Sequence, residues 1–188
     1  AGQRIETALV VVAIGVRPDI EFLRGSGIRT DRGIFIDHEF RTNVRDIFSA
    51  GDAVQGYDPI SGQFRVVTNW NNAAEQGKLA GAFMAGGGEA YRGVILSNTE
   101  SFCGTRVSVL GLTHPGSEGT LVLAGLDRAK GIYRKLLLRQ DKLVGAILVG
   151  NTSGEGMMRK WILEGKPTSS AELKSKFLTG LVVEEKNA

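Results

Sequence analysis

Residues 41–54, RTNVRDIFSAGDAV, hold the groups best placed to do chemistry. Thr42 and Asn43 can turn or cap the backbone, and Ile47, Phe48, Ser49 and Ala50 have the length and side chains of a short buried strand. Gly51 and Asp52 then stop the run. A glycine after a strand lets the main chain come close to a bulky group. The carboxylate that follows can accept hydrogen bonds from hydroxyl groups. In open α/β sheets ligands bind at the carboxyl ends of strands, where this pair would sit. Taken alone, the residues favour the plainer reading, a strand ending in an ordinary Gly-Asp turn.

A second chemical feature follows at residues 70–84, WNNAAEQGKLAGAFM, which reads as the clearest helix in the chain, with Asn69 or Asn71 as its N-cap. The first amides of a helix lack internal acceptors and form its positive end, so they suit anions or electron-rich oxygens. Ala73, Gly77 and Gly81 fall on one face, which lets a neighbouring backbone or a ligand lie close.

Other candidates carry less. GNTSGEG at 150–156 lies between a strand and a helix but lacks the Lys-Ser/Thr that ends a phosphate loop, so a capped helix start is expected, with Thr152 and Glu155 at capping-box spacing. Cys103 has no CxxC partner and no nearby histidine, and reads as an inert buried thiol. His38 and His114 stand alone, without a second ligand at metal spacing.

These residues need elements to hold them. Residues 8–14, ALVVVAI, are continuously apolar, as in a central strand buried on both faces. Gly15 and Arg17-Pro18-Asp19 end the run. Residues 20–23 read as a helical turn, 33–37 (GIFID) and 47–50 as strands, and 57–63 as a loop. Three glycines at 86–88 end the long helix and mark a boundary. Beyond it 106–110, 119–124, 131–139 and 142–149 read as strands, the last two joined by a hairpin turn at Gln140-Asp141. Helices are expected at 155–164 and 171–178. This half reads as α+β, an antiparallel sheet with terminal helices.

Composition narrows the classes. A chain of 188 residues, 42% hydrophobic and 23% charged, has an ordinary globular make-up, enough for one domain or two small ones. The net charge is +3, and the densest basic cluster (Arg134, Lys135, Arg139, Lys142) alternates with leucines, as on a solvated sheet face. No aromatic residues interleave with it as a stacking platform needs, so no nucleic-acid partner is expected. A single cysteine excludes an internal disulfide and fits a reducing compartment. The apolar run is too short to span a bilayer, and a cytoplasmic location without membrane contact is expected. The chain opens AGQRIETALVVVAIG without an initiator methionine, which reads as the middle of a longer protein.

Several segments together carry a resemblance. VVVAIGVRPD, GIFID, RTNVRDIFSAGD and WNNAAEQGKLAGAFMAG, in that order, resemble the middle and later part of the FAD-dependent pyridine nucleotide-disulfide oxidoreductases. YRKLLLRQDKLVGAILVGNTSGEGMMRKWILEGKP is similar to the C-terminal domain of the branch holding rubredoxin reductase, oxygenase ferredoxin reductases and the flavin portion of NADH-nitrite reductase. The resemblance spans residues 8 to about 178. It implies an α/β piece of a Rossmann-like FAD/NAD(P)-binding fold followed by a small α+β domain. Residues 1–19 would end the NAD(P)-binding domain and cross back, 20–90 would belong to the FAD-binding domain, and 91–188 would form the interface or acceptor-side domain.

The implied roles are specific. Gly51 and Asp52 would form the second FAD motif, with the Asp52 carboxylate accepting a hydrogen bond from the ribityl chain. Asn69, Trp70 and Asn71 would bring helix amides to the flavin pyrimidine oxygen, with Trp70 either an aromatic wall of the site or a core residue at the helix start. No residue of this chain is assigned to catalysis or to a metal. The resemblance further implies FAD and NAD(P)H as cofactors. It implies a missing N-terminal half that carries both GxGxxG motifs and any redox cysteine. A redox protein or small molecule would be the electron acceptor, and a homodimer is a further expected partner. The chain alone is then expected to bind no FAD usefully and to be inactive. A non-catalytic dimerisation or partner-docking module is the alternative.

Overall fold

The apolar residues gather into two clusters, one drawn from residues up to 94 and one from residue 95 onward. The computed structural model describes residues 2, 4–116 and 119–187. In the first cluster Ile36, Phe40, Val54, Ala80, Tyr91 and Val94 are buried together. A three-stranded sheet and one long helix surround it. β1 (Ile34–Phe35) runs parallel to β2 (Val54–Asp58), which turns back antiparallel into β3 (Gln63–Val66), and α1 spans Trp70–Met84. The helix covers the residues expected for it.

Residues 8–14 are not a strand. They carry no regular secondary structure, and Leu9, Val10, Val11, Val12 and Ile14 are all exposed. A strand needs a neighbour to share its ladder of hydrogen bonds. Among the described residues none lies beside this run. The run 47–50 is likewise outside the sheet. It folds back on residues 40–42, where the Thr42 amide donates to the Ile47 carbonyl and the Ser49 amide to the Phe40 carbonyl. The tight turn at 43–46, with Asp46 at φ 63°, satisfies these backbone groups locally.

The expected loop at 57–63 holds the turn of the β2–β3 hairpin at 59–62, with its flanks 57, 58 and 63 in the strands. Its polar sequence hides it, because a buried carboxylate organises the turn. Asp58 accepts hydrogen bonds from the Ile60 amide (2.9 Å), the Ser61 hydroxyl (2.8 Å) and the Arg65 guanidinium (3.3 Å).

The second cluster rests on a six-stranded antiparallel sheet. In chain order β4 (Ser97–Phe102), β5 (Thr105–Gly111), β6 (Thr120–Asp127), β7 (Ile132–Arg139), β8 (Lys142–Val149) and β9 (Val182–Asn187) assemble as β4-β5-β8-β7-β6-β9. All four expected strands and the 140–141 turn are present. Gln140 and Asp141 both take positive φ (49° and 53°), as a two-residue hairpin turn demands. The two unexpected strands, β4 and β9, are the sheet edges. Edge strands are kept polar because an apolar edge would pair with other chains, so SNTESF and VVEEKN lack the alternation that reveals a strand.

Two helices cover one face of this sheet. α2 (Glu155–Glu164) buries Met158, Trp161 and Ile162, and α3 (Ser170–Phe177) buries Leu173 and Phe177, against Leu110, Leu123, Leu136 and Leu148. Ser169 caps α3 by accepting from the Glu172 amide. The expected capping box at α2 does not form. Its N-cap is Gly154, in the left-handed region at φ 88°, and the Glu155 carboxylate accepts from the Thr99 hydroxyl on β4 instead. No helix among the described residues is long and apolar enough to cross a membrane.

Arg134 departs from the expected solvated basic face. It is 7% exposed, and its guanidinium donates to the carbonyls of Phe177 (2.8 Å), Asn151 (3.2 Å) and Ser153 (3.2 Å). The Phe177 carbonyl closes α3, where unpaired helix carbonyls concentrate negative charge. Burial pulls the Arg134 pKa below its ordinary value, and the carbonyl dipoles stand in for a carboxylate partner.

Candidate functional site

The Gly51–Ala53 segment is a single turn of 3-10 helix, interposed between the extended Ala50 and β2. Gly51 holds φ +83°, a region open to glycine and strained for other residues. Its amide donates to the side-chain oxygen Oε1 of Gln76 at 2.7 Å, and a Cβ placed on it would lie 3.8 Å from that of Ala73. The turn is therefore seated against the first two turns of α1. Asp52 is exposed, and its carboxylate makes no hydrogen bond to any described residue. The abrupt stop read from the sequence is thus a change of direction, with the acid on the outside.

The start of α1 lies alongside. Asn69, not Asn71, is the N-cap: its Oδ1 accepts from the Asn72 amide at 2.8 Å. Trp70 is 81% exposed and Asn71 is exposed. That exposure removes the reading of Trp70 as a core residue. The amides of Trp70 and Asn71 have no acceptor within the helix. Beneath them Asn69 Nδ2 is buried without a hydrogen-bond partner among the described residues. Of the small-residue face, Ala73 meets the Gly51 turn, whereas Gly77 and Gly81 look onto open space.

Buried polar side chains fix the helix from below. Asn72 Nδ2 donates to the Ile95 carbonyl at 3.1 Å, and Gln76 Nε2 donates to the Tyr91 hydroxyl at 3.0 Å. Glu75 pairs with Arg159 of α2, joining the two halves. Sequence periodicity missed these residues, because a buried polar side chain on a helix looks like a solvent-facing one. The spacing of Asn72 and Gln76, one turn apart on a single face, was the available signal.

Tyr91 is buried in the first cluster, and that burial pushes its pKa up from 10.0 to about 12. In the unfolded chain the phenol titrates near its ordinary value. The stabilisation it gives is therefore complete below about pH 10 and is lost as pH rises toward about 12. Tyr91→Phe is expected to shallow the alkaline fall in stability over that window. Urea midpoints of wild type and variant, compared between about pH 9 and about pH 12, check it.

The remaining candidates lie apart. Cys103 is exposed, not buried: it occupies the β4–β5 hairpin turn at φ 48°. The unread polar strand β4 concealed that turn. His38 Nδ1 contacts the Tyr91 carbonyl at 2.9 Å and His114 contacts the Thr113 hydroxyl, so each imidazole has a local partner. No group of three metal-ligating side chains exists among the described residues. The loop 150–156 turns its Asn151 and Ser153 carbonyls onto Arg134, the reverse of an anion cradle.

The site thus offers an uncommitted carboxylate on the turn that packs against α1, and two uncommitted amides at the start of that helix. Such a pair accepts hydrogen bonds from hydroxyls and donates to electron-rich oxygens of one ligand.

Comparison with known proteins adds to this geometry. Residues 1–77 match the family described as pyridine nucleotide-disulphide oxidoreductase, and residues 103–166 match the rubredoxin NAD+ reductase C-terminal domain. The chain is 32% identical over 181 residues to the NADH-dependent phenylglyoxylate dehydrogenase subunit epsilon of Aromatoleum evansii, covering 94% of this chain and 42% of that protein. It is 30% identical over 162 residues to the ferredoxin--NAD(+) reductase component of the anthranilate 1,2-dioxygenase system of Burkholderia cepacia, covering 86% of this chain and 39% of the other. The fold is that of a FAD-dependent pyridine nucleotide-disulphide oxidoreductase from Desulfovibrio vulgaris, with a TM-score of 0.72 at 23% identity over 90% of this chain and 45% of the solved one. The chain spans less than half the length of each of these proteins.

Proposed function

Because the chain belongs to the pyridine nucleotide-disulphide oxidoreductase family, we propose that it supplies one side of the flavin site of an NAD(P)H-dependent FAD oxidoreductase. The observation that carries this is the seating of the Gly51–Ala53 turn on the first two turns of α1, which brings the exposed Asp52 and the helix start with its free amides into one neighbourhood of the fold. These residues fit one side of a flavin. An exposed carboxylate suits the ribityl hydroxyls, and the amides with the unpartnered Asn69 Nδ2 suit a pyrimidine oxygen.

FAD, when bound, supplies the hydride-accepting chemistry that carries electrons from NAD(P)H to an acceptor. The chain's own residues orient and tune. Asp52 anchors through its carboxylate. The positive end of α1 would stabilise negative charge on an electron-rich oxygen of a flavin held there. Trp70, exposed at the helix start, offers an aromatic face to the ring system. The name of the Burkholderia cepacia relative, a ferredoxin reductase component, and the rubredoxin reductase match of residues 103–166 favour a ferredoxin- or rubredoxin-type protein as acceptor.

On this reading residues 1–19 close a nicotinamide-binding domain, 20–90 complete the FAD-binding domain, and 91–188 form the acceptor-side or dimer-forming domain. The exposed run at 9–16 supports it, as valines of this density need a sheet beside them.

The 188 residues alone are expected to bind no stoichiometric flavin and to oxidise no NAD(P)H. A flavin absorption band near ~450 nm in the purified chain would overturn that expectation. Adding the polypeptide that carries the other side of the site should restore NADH oxidation with an artificial acceptor. Failure to do so, with both parts folded, would favour the non-catalytic dimerisation or docking reading.

A further inference from the structure

We infer that Gln76 is the positioning residue of the site: it sets the orientation of the Asp52 turn by bridging the Gly51 amide to the Tyr91 hydroxyl. The inference rests on the flavin reading proposed above and adds a residue to it.

Gln76 is 1% exposed, in the middle of α1. Burying a primary amide is costly unless its groups are paired. Both ends of this one are. Oε1 accepts from the Gly51 amide at 2.7 Å, and Nε2 donates to Tyr91 Oη at 3.0 Å. The far end of the bridge is rigid. Tyr91 packs on Phe40 with ring centroids 4.8 Å apart, and its backbone amide donates to the His38 carbonyl at 2.9 Å. Its own carbonyl contacts His38 Nδ1, also at 2.9 Å.

The near end is where control is needed. Residues 49–51 belong to no strand, so no ladder holds the Gly51 amide, while the Val54 amide donating to the Gly51 carbonyl closes the turn on its other side. Among the described residues, the Gly51 amide's partner is Gln76. The Asp52 carboxylate makes no hydrogen bond to a described residue, so its direction follows the turn, which the Gln76 bond seats on α1. An apolar side chain of similar size at position 76 would fill the space and leave the buried Tyr91 hydroxyl and the part-buried Gly51 amide without this partner.

The test uses the full-length protein that carries these residues, in four forms: wild type, Gln76→Leu, Gln76→Glu and Asp52→Ala. Gln76→Leu is expected to weaken FAD binding about 10-fold, the effect of one lost buried hydrogen bond on a clamp, and to alter the shape of the bound flavin's visible band. Gln76→Glu keeps an acceptor for the Gly51 amide and can accept from the Tyr91 hydroxyl, so it should restore affinity and band shape to near wild type. FAD affinity unchanged in Gln76→Leu, but reduced in Asp52→Ala, would overturn the role of Gln76 and leave the flavin reading standing. Equal losses in Gln76→Leu and Gln76→Glu, tracking only a lower melting temperature with an unaltered band, would show a purely structural residue and overturn it as well. Unchanged affinity in all three variants would overturn the flavin reading, and this inference with it.

Discussion

Asp52→Ala in the full-length protein is expected to cost about 10- to 100-fold in FAD affinity. A hydrogen bond to a charged group contributes about 1.5–3 kcal/mol, and each 1.4 kcal/mol is tenfold in affinity. The carboxylate is exposed and bonded to no described residue, so it is available to a ligand in full. For the same reason its removal should leave the fold alone, within about 0.5 kcal/mol, as surface substitutions do. Asp52→Asn keeps an acceptor of the same shape without the charge and should fall between. Flavin absorbance per protein after dialysis measures all three forms. Unchanged flavin content and turnover in Asp52→Ala would refute the anchoring role, whatever the melting temperature does.

The second large effect is on stability. Arg134→Met is expected to cost about 1–3 kcal/mol, because it leaves the buried Phe177 carbonyl without its donor, whereas the part-buried Asn151 and Ser153 carbonyls can turn to water. Those carbonyls close α3 and shape the loop before α2, so the damage should fall on the second cluster. The two tryptophans allow that to be seen. Trp161 is on the buried face of α2, whereas Trp70 stands in solvent on the first half. Urea unfolding followed by fluorescence should show the loss of buried-indole emission at a lower denaturant concentration in the variant. Arg134→Lys should recover only part of the loss, because a single ammonium cannot span acceptors spread across both helices' ends as a planar guanidinium does.

Both predictions turn on a difference between what residues are and where they lie. Asp52 and Arg134 are each a charge within an apolar stretch of sequence. One is uncommitted at the surface and the other is consumed by carbonyls inside, and nothing local separates them. Arg134 sits in IYRKLLLR, where alternation with leucines looks like a solvated face. The approach of the α3 terminus and the loop at 151–153, neither of them close in sequence, turns that face inward.

Elements whose apolar pattern follows their own period were legible from sequence. Helix α1 over residues 70–84, α2 over 155–164 and the β7–β8 hairpin appear where periodicity, caps and turn residues put them. The order of VVVAIGVRPD, GIFID, RTNVRDIFSAGD and WNNAAEQG also carried the family, since a series of spaced segments is harder to match by chance than any single motif. Elements held by partners distant in the chain were not legible. The polar edge strands β4 and β9 are strands because β5 and β6 accept them. The apolar residues 8–14 look like a strand and are none, for want of a neighbour.

The same division runs through the site. Residue types alone determined that Gly51 and Asp52 interrupt an apolar run, that an asparagine caps the helix at Trp70, and that a carboxylate and helix amides are the chemical groups on offer. Only the tertiary structure decided that the Gly51 turn packs on the first two turns of α1. It did so by way of a glutamine whose one-turn spacing from Asn72 was its only mark in the sequence. The physical cause is the cost of an unpaired polar group in a packed interior. Gln76 can be buried only where two partners meet it, and the fold brings Gly51 and Tyr91 there from opposite sides.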